Sequence, residues 1–213
     1  MTRLILIRHG ETVWNREHRM QGQQDSPLTE VGERQARQLG RRFRDEKFGA
    51  LYSSDLGRAH RTAQSVADAT GRSIIVDTRL RERHFGVFEG LTGDEIERNY
   101  PREFLCFRSR DPAYAVPGGE SALQFRERCL ACLNELAGRH AGERVVVVTH
   151  GLVLDILYRA ANALTLEQPR PVPLLNASLN IFGHDGKRWH CEAWGDVAHL
   201  EAAAVTRFES GMA

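Results

Sequence analysis

The chain has 213 residues, enough for one domain with an ordinary core, and its 41% apolar and 27% charged residues fit a folded globular protein. A net charge of +1, from 29 basic and 28 acidic residues, creates no global field, so neither nucleic acid nor an anionic membrane is an expected partner. No apolar run approaches the roughly 18 residues of a membrane span and no secretory h-region precedes the first strand, which gives the expectation of a cytoplasmic protein.

Leu4-Ile5-Leu6-Ile7 reads as a buried strand that ends in Arg8-His9-Gly10. Ser26-Pro27-Leu28-Thr29 follows as a turn, with Thr29 as N-cap of a helix whose inner face carries Ala36, Leu39 and Phe43. Arginines 34, 37, 41, 42 and 44 fall on its solvated face. Ala50–Ser53 is a second strand. Its exit, Ser54-Asp55-Leu56-Gly57-Arg58, offers Asp55 as a cap and places Arg58 in the first turn of a helix bearing Ala59, Ala63 and Val66. Ile74-Ile75-Val76 is a third strand, and Glu82 lies in the loop after it.

Residues 86–119, with Pro101, Pro112 and Pro117, read as an irregular cap or lid excursion over the active edge. The helix from about Glu120 to Arg139 comes next. Phe125, Cys129, Cys132, Leu133 and Leu136 fall at helical spacing, so the C-x-x-C thiols are expected in the core rather than in redox or metal chemistry. The four cysteines are too sparse for a disulfide framework. Val145–Val148 is another buried strand and runs into Thr149-His150-Gly151. A helix follows from Leu152 to Leu164, and Ser178–Phe182 and Trp189–Trp194 form a hairpin around Asp185-Gly186. Alternating strands and helices predict an α/β fold, a three-layer α/β/α sandwich around a mostly parallel sheet, with residues 1–213 forming a single domain.

In such sheets ligands bind beyond the carboxyl ends of the strands. The predicted junctions deliver Arg8, His9, Arg58 and His150 to that edge, and Glu82 is close in sequence to a strand end. Two guanidiniums beside two imidazoles would repel a divalent cation, so no metal is expected. The same set suits a phosphoryl group: arginine offers paired donors to its oxygens, and backbone N–H groups at helix starts add to the field. Without metal-activated water, histidine is the expected nucleophile, kept neutral by the neighbouring cations. Glu82, its pKa raised by burial and by a dianionic substrate, would protonate the leaving oxygen and later take a proton from water.

Arg8-His9-Gly10-Glu11-Thr12 with Trp14-Asn15, Gln21-Gly22, Pro27-Leu28-Thr29 with Gly32, Ser53-Ser54-Asp55-Leu56 with Arg58-Ala59, Leu80-Arg81-Glu82, Glu89-Gly90, Gly119-Glu120-Ser121 and Thr149-His150-Gly151 together resemble the histidine phosphatase superfamily, also called the phosphoglycerate mutase-like family. The resemblance implies that His9 carries the phosphoryl group, that Arg8, Arg58 and His150 form the phosphate pocket, and that Glu82 is the proton donor. It also implies that Asn15, Gln21 and Gly22 line the substrate side, with Thr12 and Gly151 close to the phosphate. The family needs no metal. Its cofactor-dependent mutases carry a longer segment between the equivalents of Glu82 and His150, a Tyr at the position of Phe85 and a Lys at that of Gly93.

These departures favour a phosphatase acting on a small phosphorylated metabolite. The alternative is a mutase, for which 2,3-bisphosphoglycerate would serve as phosphoryl primer; otherwise no cofactor is expected. Arg108 and Arg110 in the excursion are candidate clamps for a second anion and weigh toward the mutase. A phosphate-binding protein without turnover and a metallohydrolase are further readings, and a homodimer is left open.

Overall fold

The computed structural model describes residues 1–201 and Val205. Six strands form one sheet in the order β3-β2-β4-β1-β5-β6. β1 (Thr2–Arg8), β2 (Ala50–Ser53), β3 (Ile74–Val76) and β4 (Arg144–Thr149) run parallel. β5 (Leu179–His184) and β6 (Trp189–Asp196) add the hairpin antiparallel at one edge. This is the expected α/β sandwich.

Side chains of the central strands alternate between two cores. Leu4, Leu6, Val145 and Val147 pack with Phe125, Leu133 and Leu136 of α6 (Ala122–Arg139) and Val153, Leu154 and Leu157 of α7 (Gly151–Asn162). Ile5, Ile7, Val146 and Val148 face the other way. They meet Leu39 and Phe43 of α2 (Glu30–Phe43) and Ala59, Ala63 and Val66 of α3 (Gly57–Thr70). Cys129 and Cys132 sit in the first of these cores as thiols, and the arginines at 34, 37, 41, 42 and 44 are exposed.

Two local expectations are corrected. Residues 86–119 are not irregular throughout: they contain a 3-10 turn at Gly86–Phe88, α4 (Gly93–Asn99) and α5 (Pro101–Arg108). Thr92 and Glu95 form a reciprocal cap on α4, and Pro101 begins α5 at a position where its missing N–H is harmless. Met20, Phe85, Phe88, Ile96, Phe104 and Val116 give this cap a small core of its own. Asp55 does not cap α3, whose N-cap is Leu56 without a side-chain bond; its carboxylate is paired with Arg81.

The site is set by register. Arg8 lies opposite Thr149 in the parallel β1–β4 pair, and His9 N–H continues the ladder to the Thr149 carbonyl at 3.0 Å. His9 and His150 therefore leave adjacent central strands at the same level. Ser54 N–H donates to the Val148 carbonyl at 3.0 Å, which brings the end of β2 to the other side of His150.

Candidate active site

The His9 and His150 ring centroids are 5.3 Å apart with the planes at 59°. Both rings are buried, at 2% and 0% exposure. His9 Nδ1 lies 2.8 Å from the Gly10 carbonyl. A carbonyl can only accept, so Nδ1 carries the proton and the lone pair is on Nε2. Burial, followed by the charges of Arg58 and Arg8, holds His9 well below the usual imidazole pKa. The result is a neutral ring with one basic nitrogen.

His150 is lowered in the same way by burial and then by Arg58. Its Nε2 is 2.9 Å from Ser54 Oγ, while Nδ1 is buried without a hydrogen-bond partner among the described residues. Ser54 Oγ already accepts from Leu56 N–H at 3.3 Å, so its own proton is available to His150.

Arg58 is buried against the loop after α1 (Val13–Arg16): Nη2 donates to the Gly22 carbonyl at 2.7 Å, and Nη1 donates to the Gln24 carbonyl at 2.7 Å and to Asp25 at 3.0 Å. Its Nε has no hydrogen-bond partner among the described residues. Arg8 Nη1 donates to the Leu174 carbonyl at 2.7 Å, and burial pulls this guanidinium down to about 9, still cationic at neutral pH. Glu82 accepts from Arg83 N–H at 2.9 Å and from Leu152 N–H, in the first turn of α7, at 3.2 Å. Burial nevertheless raises its pKa, against the opposing pull of these bonds and of Arg58 and Arg8.

These groups open onto a cavity of about 360 Å³ lined by Arg8, His9, Asn15, Gln21, Gly22, Arg58, Glu82 and Gly151, with Phe85, Phe107 and Tyr114 from the cap. Two of the residues that the resemblance assigns to the site do not line it. His150 touches His9 from within the protein. Thr12 is fully buried, and its hydroxyl accepts from Asn15 N–H at 3.1 Å and donates to Gln21 at 3.0 Å, so it organises the α1 turn rather than facing the cavity. Arg110 lines the cavity and Arg108 does not; the latter lies over Phe104.

Several supporting residues escaped the sequence reading. Asn176 donates to the His9 carbonyl at 3.0 Å and to Asn15 at 3.2 Å. Arg128 grips the carbonyls of Arg79 and Arg81 at 2.8 and 3.0 Å and so fixes the loop that carries Glu82. Glu89 accepts the N–H groups of Gln23, Gln24 and Phe85 and stitches the substrate loop to the cap. Gly22 holds a φ of 53°, and a β-carbon there would fall 2.0 Å from the Glu89 carboxylate. The Gln21-Gly22 and Glu89-Gly90 motifs were the signals in the sequence for these contacts, and Asn176 and Arg128 had none.

The model of the histidine phosphatase superfamily (branch 1) matches residues 4–197. The chain belongs to this superfamily. It is 39% identical to "phosphoglycerate mutase-like protein 4" of Arabidopsis thaliana, over 93% of this chain and 86% of that one. Among solved structures it is similar to YhfR of Bacillus stearothermophilus (42% identity, TM-score 0.87, 94% of this chain and 100% of that one). It is also similar to a mycobacterial glucosyl-3-phosphoglycerate phosphatase in complex with VO3 (34% identity, TM-score 0.80, 91% and 98%). Members of the superfamily are phosphatases or mutases, so the protein is an enzyme of that kind. Among the described residues, no helix is long and apolar enough to cross a membrane, and no group of three His, Cys, Asp or Glu side chains is placed to hold a metal ion.

Proposed function

We propose that the protein is a phosphatase that hydrolyses small phosphorylated metabolites through a phosphohistidine on His9, without a metal or an organic cofactor. One observation carries this reading: the bond from His9 Nδ1 to the Gly10 carbonyl leaves Nε2 as a neutral nucleophile between two buried arginines. Arg8 and Arg58 bind the phosphoryl oxygens from the cavity wall, and His150, set behind it against His9, offers its unpartnered Nδ1 to the oxygen that reaches deepest while Ser54 donates to its Nε2. Nε2 of His9 attacks phosphorus, the P–O ester bond breaks, and protonated Glu82 gives its proton to the departing oxygen. Water then attacks the phosphohistidine and loses a proton to the Glu82 carboxylate, releasing phosphate and restoring both groups.

Hydrolysis is favoured over mutase transfer by two cavity positions. Phe85 and Gly93 line the wall where the mutases of the family place a Tyr and a Lys, so this wall lacks their hydroxyl and charge. A phosphatase activity in the similar mycobacterial protein agrees. The mutase reading keeps one specific support, Arg110 in the lining of the same cavity.

The test is rapid quenching into alkali, which preserves phosphohistidine, followed by mass spectrometry, alongside phosphate release in the presence of chelator. A phosphoryl adduct on His9, and a loss of about 10³-fold or more in kcat for His9→Ala, are expected. Turnover that survives in His9→Ala removes the mechanism. Interconversion of phosphoglycerates with 2,3-bisphosphoglycerate that outpaces phosphate release assigns the mutase instead.

A further inference from the structure

Beyond the phosphoryl pocket, the cavity wall carries a guanidinium that this chemistry does not use. Arg170 lines the cavity together with Arg8, Glu82 and Arg110, although Pro169 and Pro171 on either side of it are exposed. The two prolines restrict the backbone, Pro171 by keeping Arg170 out of the helical region. The segment is pinned at both ends. Arg159 Nη1 donates to the carbonyls of Thr165 and Gln168, Trp194 Nε1 donates to the Pro173 carbonyl at 3.0 Å, and Arg8 Nη1 donates to that of Leu174. The Gln168–Pro173 segment is a short strap, and Arg170 is its contribution to the cavity.

Arg170 makes no hydrogen bond among the described residues, and burial lowers its pKa. The guanidinium is half-buried and without a protein acceptor, and a carboxylate or phosphate oxygen in the cavity supplies what it lacks. The nearby Asp155 does not fill this role. Its Oδ2 accepts from Arg159 Nε at 2.8 Å, and its Oδ1 is buried without a hydrogen-bond partner among the described residues. Of the seven arginines that line the cavity, Arg19 is paired with Glu17 and Glu95, Arg58 with Asp25 and Arg159 with Asp155, whereas Arg170 has no ion pair among the described residues.

We propose that Arg170 forms a distal anion subsite, which takes a second carboxylate or phosphate on substrates whose phosphoryl group sits at His9. This rests on the phosphoryl-transfer reading of the site. It makes the preferred substrates metabolites with anionic groups at two ends, and it makes the 168–173 strap a determinant of selectivity. The planar guanidinium suits a two-oxygen anion better than a lysine ammonium would.

Binding without turnover tests the subsite separately from catalysis. Calorimetry on the full chain would compare phosphonoacetate, 3-phosphonopropionate and 4-phosphonobutyrate, each against the alkylphosphonate of the same chain length. The carboxylate is expected to raise affinity about tenfold or more at one chain length at least. Arg170→Gln brings that ratio close to one, and Arg170→Lys keeps part of it. No advantage at any length, or an advantage that survives Arg170→Gln, overturns the proposal. A carboxylate advantage in a protein that never forms phosphohistidine would instead refute the catalytic reading and leave the subsite standing.

Discussion

Gly10 and Gly32 meet backbone against backbone. A β-carbon on Gly10 would stand 2.7 Å from the Gly32 carbonyl, and one on Gly32 would stand 2.0 Å from the carbonyl of Glu11. The first turn of α2 thereby presses on the residues that follow the nucleophile. Gly32→Ala is expected to destabilise the fold by about 1–3 kcal/mol, as overpacking does. Urea denaturation measures it, and a midpoint equal to wild type would contradict the contact.

Glu82→Gln tests the proton donor. Alkyl phosphates, whose leaving oxygen needs a proton, should lose about 10² to 10⁴-fold in kcat, whereas p-nitrophenyl phosphate, with its acidic phenol, should lose far less. A single-turnover assay on both esters reads the difference. Equal losses would assign Glu82 to binding alone.

The buried rings tie stability to pH. The unfolded chain protonates His9 and His150 below about pH 6.5 while the folded chain does not, so stability rises with pH through the window beneath that value. Glu82 opposes this. Its folded pKa is raised, so its contribution is greatest in acid and is lost as pH rises through the folded value. Each histidine is worth up to about 1.4 kcal/mol per pH unit, and two outweigh one carboxyl. Denaturation between pH 5 and 6.5 should show stability falling toward acid, with a shallower slope in His150→Asn.

Arg159 and Asp155 form a buried pair one helical turn apart on α7, and the same guanidinium holds the carbonyls of Thr165 and Gln168. Arg159→Ala strands a buried carboxylate and two carbonyls, which should cost about 3–5 kcal/mol. Thermal unfolding of the variant provides the measurement. A cost under about 1 kcal/mol would show that the pair contributes little.

The central fold and most of the site could be read from the sequence because they rest on local signals. Two valine- and leucine-rich strands end in His-Gly, and parallel pairing in register then brings His9 beside His150 without further information. The cap was harder. α4 and α5 have seven and eight residues, too few for a periodic pattern to stand out, and Pro101 looks like a breaker although it starts a helix. Arg128, Asn176 and Arg170 act across long sequence separations, through backbone carbonyls or a shared cavity. No spacing rule points to such contacts. Thr12 failed for a related reason: a hydroxyl two residues past Gly10 looks available to phosphate, but the α1 cap uses it.

Arg58 serves two masters. The cation expected to grip the transferred group is also the peg on which Gly22, Gln24 and Asp25 hang. Lysine, with three donors on one nitrogen, cannot cover that spread of acceptors and still face a ligand. Descendants of this protein are therefore not free to remodel the 22–25 turn while keeping their hold on phosphate. Evolutionary novelty enters more readily through α4, α5 and the 168–173 strap, which make none of these bonds to Arg58.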